Sequence, residues 1–258
     1  AATLVVGVPP VVTGHPTSQI AVVGTSPTFT VAATGSVPLS YQWQKNSTDI
    51  GGATSASYTI ANAQISDSGS YRCVVSNKYG SVTSNPATVA VGYAPAFASH
   101  PSPADQATGA SVTFSISLSA GTAPVTYQWQ KDGTNITGAT STSYTIATLT
   151  TAHAGSYRCI ASNAFDSTTS NPANLTVGVI PVVTTQPANK NAIVGTSPTF
   201  TVDVNGTAPF TYQWQKDRTT FGASTRTTYT VTTAQTGDSG LYRYVASNTY
   251  GRVTSNPA

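Results

Sequence analysis

The chain contains no glutamate and no methionine, and only 7% of its 258 residues are charged. Long amphipathic helices are excluded, because they draw their polar and apolar faces from Glu, Lys, Leu and Met. No stretch approaches the 18 or so consecutive apolar residues of a membrane-spanning helix. The 11 basic and 8 acidic groups are scattered singly, leaving a net charge of +3. Without a basic run to hold a phosphate backbone, nucleic acid is not the partner. Two cysteines cannot build a disulfide framework. Yet the chain is not disordered, since 39% of it is hydrophobic and 9% aromatic. Its length suits three small domains better than one.

What is present is a repeat. Tyr-Gln-Trp-Gln-Lys occurs at Tyr41–Lys45, Tyr127–Lys131 and Tyr212–Lys216, 86 and then 85 residues apart. Each copy adds a Tyr 15 residues after the Trp (Tyr58, Tyr144, Tyr229), a Gly-x-Tyr-Arg (from Gly69, Gly155 and Gly240) and a Ser-Asn-Pro-Ala. Within the first copy the apolar residues alternate: Phe29 and Val31, Tyr41 and Trp43, Tyr58 and Ile60, Tyr71, Cys73 and Val75, Val89 and Val91. A period of two means strands with one buried face. Turn residues separate the runs, at Gly24, Gly35 with Pro38, Gly51 and Gly52, Asp67 with Gly69, and Gly80. The expectation is an all-β chain of three tandem sandwiches, each with seven or eight short strands and no helix.

A Trp followed 28 residues later by the Tyr of Asp-Ser-Gly-Ser-Tyr-Arg-Cys (Asp67–Cys73) resembles tandem bacterial immunoglobulin-like repeats of the I-set type, as found in extracellular proteins. The resemblance covers nearly the whole chain. It implies that Trp43, Trp129 and Trp214 centre the cores and that Tyr71, Tyr157 and Tyr242 form tyrosine corners. Asp67, Asp238 and His153 would then satisfy backbone amides in the adjoining turn. One family feature is missing: the cysteine that would pair with Cys73 or Cys159 is replaced by Val31 or Ile116, with Val202 at that place in the third copy, where Tyr244 replaces the other cysteine as well. The two thiols are therefore expected to be unpaired buried hydrophobes.

The joints read Val-Gly-Val-Pro-Pro from Val6, Val-Gly-Tyr-Ala-Pro from Val91 and Val-Gly-Val-Ile-Pro from Val177, with no flexible linker. Expected units are a terminal strand at 1–7 belonging to a preceding or neighbouring domain, domains at 8–92 and 93–178, and a third at 179–258 lacking its final strand segment. Thr3, Leu4, Val5 and Val6 align with Thr88–Val91, so they are the candidate assembly strand, donated to the third domain of a neighbouring molecule. In a longer tandem array the same contact would form within one polypeptide.

Catalysis needs a convergent nucleophile and base, paired carboxylates or metal ligands, and the sequence offers none. His15 and His100 precede prolines in early loops, and the aspartates fall singly in turns. No enzyme activity, cofactor or metal is expected. Alternation turns Gln42, Gln44 and Arg72 outward, with Gln128, Gln130 and Arg158, and Gln213, Gln215 and Arg243, in the other copies. That row is a candidate surface contact, for a glycan or a cell-surface protein, or a solvated face repeated by duplication. The expected function is a structural or adhesive extracellular or cell-surface rod or filament of head-to-tail domains. The alternative is a spacer or ligand-binding module of a larger secreted adhesin or hydrolase. The Ser/Thr-rich, Glu-free surface fits secretion, and sequons at Asn46, Asn135, Asn174 and Asn205 are weak evidence in so hydroxyl-rich a chain.

Overall fold

The computed structural model describes residues 2–221 and 226–258. In the first repeat the strands are β1 (Val11–Gly14), β2 (Gln19–Val22), β3 (Thr28–Thr30), β4 (Ala32–Thr34) and β5 (Ser40–Lys45). They continue with β6 (Thr48–Asp49), β7 (Ser57–Thr59), β8 (Gly69–Asn77), β9 (Gly80–Thr83) and β10 (Ala87–Gly92). One layer runs β2-β10-β8-β5-β6, with β9 also on β8; the β1–β4 and β3–β7 ladders make the facing layer. β10 is central, pairing antiparallel with β8 and parallel with β2.

Alternation explains the layers. Along β8, Tyr71, Cys73 and Val75 are buried while their neighbours are half-buried. Trp43 on β5 lies opposite Cys73, and its indole Nε1 donates to Ser55 O at 2.9 Å. Phe29 stacks on Tyr71 with ring centres 5.0 Å apart. The same cores gather around Trp129 and Trp214, and all three indoles are fully buried. Tyr41 and Tyr58, on the alternating apolar face, pack at the margin of the core rather than inside it.

The turn before β8 holds a three-residue 3-10 turn at Ile65–Asp67, with counterparts at Thr151–His153 and Thr236–Asp238, the only helical turns among the described residues. Strand periodicity gave no sign of them, because a single turn carries no repeat. Asp67 Oδ2 accepts from Gln64 N at 2.8 Å, and Tyr71 Oη donates to Asp67 O at 2.8 Å, fixing the corner. His153 does the aspartate's work in the second repeat, its Nδ1 accepting from Thr150 N at 2.9 Å.

The third repeat differs at one edge. It has no counterpart of β2 or β10, and its equivalent of β8 begins at Tyr242 instead of two residues earlier. The reason is shared hydrogen bonding: β10 supplies the partners of both neighbours, so without it neither registers as strand.

Candidate assembly interface

Three features could carry function: the thiols, the Gln–Arg rows, and the joints with the open edge of the third sandwich. Cys73 and Cys159 are free and fully buried, and burial pushes both thiols up from their ordinary pKa. Each packs in register beside a core Trp, and a desolvated neutral thiol is a poor nucleophile. Among the described residues no three His, Cys, Asp or Glu side chains come together as metal ligands. His15 and His100 are tied down: their Nδ1 atoms accept from Asn85 N at 3.0 Å and Asn171 N at 3.1 Å.

The Gln–Arg residues are brought together in each sandwich, but largely by bonding to one another. Arg72 Nε donates to Gln44 Oε1 at 2.7 Å, Arg158 to Gln130 at 2.8 Å and Arg243 to Gln215 at 2.7 Å. Gln42 Nε2 donates to Trp43 O and Ile50 O, Gln128 to Trp129 O and Ile136 O, and Gln213 to Trp214 O and Phe221 O. These amides brace the Trp strand against the turn after it.

The joints are built from residues the sequence reading did not single out. Asn77, at the end of β8, donates through Nδ2 to Val8 O and Ser36 O, both at 2.8 Å, and its Oδ1 accepts from Tyr79 N. Asn163 does the same to Tyr93 O and Thr122 O, and Asn248 to Val179 O and Thr207 O. A hydroxyl completes each clamp, Ser36, Thr122 or Thr207 accepting from the backbone N of Val8, Tyr93 or Val179. One carboxamide thus joins three segments to the first residue of its domain.

The preceding glycine closes the joint. A Cβ on Gly7, Gly92 or Gly178 would lie 1.8, 2.3 or 1.9 Å from the ring of Tyr79, Phe165 or Tyr250, so only glycine lets the ring of one domain lie on the last strand of the domain before. At the second of the joints between sandwiches the ring gains a bond, Tyr250 Oη donating to Asp105 Oδ1 at 2.7 Å. The detectable signal was Ser-Asn-x-Tyr/Phe at Ser76, Ser162 and Ser247, repeated at fixed distance from Val-Gly.

Residues 3–7 meet the first sandwich as Thr88–Gly92 meets the second, Gly7 lying on Tyr79. Leu4 and Val6 are 88% and 83% exposed. At the other end, Ala258 pairs with Tyr242 through two 2.9 Å bonds, the register of Ala87 on Tyr71 and Ala173 on Tyr157. Beyond it runs a groove of about 490 Å³, lined by residues 189–192 and 194 on one side, 238–242 on the other and Phe200 and Val231 at its floor.

Known proteins were compared with this chain. Residues 9–77 and 94–163 match the immunoglobulin domain, and residues 181–257 the immunoglobulin I-set domain. Roundabout homolog 3 of Homo sapiens is 30% identical over 79% of this chain, and the highly immunogenic outer capsid protein of Enterobacteria phage T4 is 35% identical over 53%. Endoglucanase C of Cellulomonas fimi is 29% identical over 65%. The chain spans 16%, 39% and 16% of the length of these three relatives. A titin fragment of three immunoglobulin domains, I67-I69, superposes with a TM-score of 0.74 at 24% identity, covering 96% of both chains. Most of the curated relatives are animal proteins, so the comparisons support the tandem immunoglobulin resemblance but not its bacterial part.

Proposed function

The chain belongs to the immunoglobulin family, and on that premise we propose that it is a non-enzymatic structural or adhesive rod of the extracellular space or cell surface, its domains stacked head to tail. The observation that carries this reading is the joint, built in the same way before each of the three sandwiches. A clamp of buried hydrogen bonds and a ring on a glycine hold successive domains at a set angle, so length and stiffness become the working properties. Thr3–Val6 continue the stack as the last strand of a neighbouring domain. The end contacts are favoured over the Gln42, Gln44 and Arg72 row for assembly, because much of that row's bonding capacity is used internally. The row remains the surface we assign to a glycan or another protein.

Small-angle X-ray scattering tests the rod. Each domain is about 35 to 45 Å long, so the expected particle is extended, roughly 100 Å or more. Asn248→Ala should let the third domain swing and broaden the distance distribution while the first two domains keep their melting behaviour. A wild-type chain that scatters as freely hinged beads would overturn the reading. The match to Endoglucanase C favours a second reading, a spacer within a larger secreted hydrolase or adhesin. Electron microscopy of native material separates the two, because filaments made only of these domains exclude a spacer.

A further inference from the structure

We propose that the open edge of the third sandwich is the acceptor for Thr3–Gly7 of a second copy of this chain, with Asn191 of the acceptor meeting Tyr79 of the donor. The inference rests on the head-to-tail reading above and specifies its contact.

The register comes from the two closed sandwiches. Val89–Gly92 run parallel to Gln19–Val22, and Leu175–Gly178 to Ala104–Ala107. Counting back from the turn glycine that follows, Gln19 and Ala104 correspond to Lys190, since Gly24, Gly109 and Gly195 share φ near +90° (90, 86 and 89). Leu4, Val5, Val6 and Gly7 therefore fall beside Lys190, Asn191, Ala192 and Ile193. On the other side Thr3 and Leu4 take the places of Thr88 and Val89, opposite Leu241 and Gly240. Inward positions Val89 and Val91 are buried in the first sandwich, and Leu4 and Val6 carry the same apolar character into the groove. The acceptor has exposed apolar lips to match, with Ile193 78% and Leu241 59% exposed.

Two polar details select this donor. In the first sandwich Ser68 Oγ accepts from Val91 N at 3.0 Å, and Ser239, the corresponding hydroxyl, lines the groove where Val6 N would arrive. The second detail is a matched pair at each joint. Asp105, four residues before its turn glycine, takes the hydroxyl of Tyr250 in the following domain. At the same position the first sandwich has Ile20, and the following domain presents Phe165, which has no hydroxyl to satisfy. The third sandwich has Asn191 there, whose carboxamide suits a hydroxyl, and the ring that would follow in a second copy is Tyr79. Polar faces polar and apolar faces apolar if the third domain precedes the first.

Such a contact is heterologous, so it propagates instead of closing on itself. In a polypeptide with its own strand after Ala258, the groove would be filled in cis. The test uses two variants of the full chain. One carries Leu4→Asp and Val6→Asp, which spoil the donor; the other carries Thr-Val-Ala-Val-Gly appended after Ala258, copying Thr88–Gly92 to close the acceptor. In sedimentation velocity the unmodified chain should form concentration-dependent linear oligomers. Each variant alone should be monomeric, and their mixture should stop at a one-to-one dimer. Tyr79→Phe should weaken association about fivefold, the loss of one hydrogen bond, and adding Asn191→Ile should restore it. An unmodified chain that stays monomeric, a donor variant that still oligomerises, or a mixture without dimer overturns the proposal. Scattering from the monomeric donor variant reports rod stiffness separately, so the stacked-rod reading can stand or fall independently of strand exchange.

Discussion

Replacing Tyr244 by Phe should stabilise the third sandwich. Tyr244 stands where the other two repeats have Cys73 and Cys159, and it is fully buried. Its ring is edge-on to Trp214 at 5.1 Å and stacked on Tyr212 at 5.6 Å. Among the described residues no protein group lies within hydrogen-bonding reach of its hydroxyl. Burial pushes that phenol above its usual pKa, so it stays neutral and desolvated. An unsatisfied buried hydroxyl costs about 1–3 kcal/mol. Phe removes the cost but also about half a dozen dispersion contacts of the oxygen, at ~0.1–0.2 kcal/mol each. The net is a gain of about 1 kcal/mol, or roughly 4–8 °C in the melting temperature of a domain this small. Tyr244→Cys, restoring the residue of the other repeats, should instead cost about 3 kcal/mol, because it empties a ring-sized space. Differential scanning calorimetry of the whole chain reads both, since only the transition of the third sandwich should move. A loss of more than about 1 kcal/mol on Tyr244→Phe would show that the hydroxyl is satisfied, by ordered water for example, and would refute the argument.

Trp129→Ala should destabilise the second sandwich by about 3–5 kcal/mol, from lost burial and the cavity left behind; a loss below about 1 kcal/mol in urea titration would show that the Trp is not central. Cys73→Ala should cost about 1 kcal/mol, and native Cys73 and Cys159 should resist alkylation at neutral pH, rapid labelling being the contrary result. Gly178→Ala should spare each sandwich's melting but displace Tyr250, visible as a changed interdomain orientation in residual dipolar couplings. Tyr71 and Tyr157 are pushed up to about 12, chiefly by burial and then by Asp67 and Tyr144 respectively. The fold favours the neutral phenol, so this stabilisation is intact below pH 10 and lost as pH rises through about 12. Urea midpoints that stay level across that window would contradict it.

The sandwiches were readable in the linear chain because what encodes them is local. Alternation along Tyr71, Cys73 and Val75 states which face is buried, and the constant Trp-to-Tyr spacing states that the pattern occurs three times. A period of two needs no knowledge of partners. Alternation also turned Gln44 and Arg72 outward correctly, but it could not say that they bond to each other across 28 residues, because pairing depends on register between strands. The match of Thr3–Gly7 to Thr88–Gly92 was equally visible, as a repeat without a domain in front of it. The joint was not. Asn77 reaches Val8 across 69 residues and Ser36 across 41, and Tyr250 reaches Asp105 across 145. An Asn after a strand has the same composition whether it turns a hairpin or clamps two domains. Its role follows from which carbonyls folding brings within 3 Å, and from a glycine with no Cβ to hold an aromatic ring away.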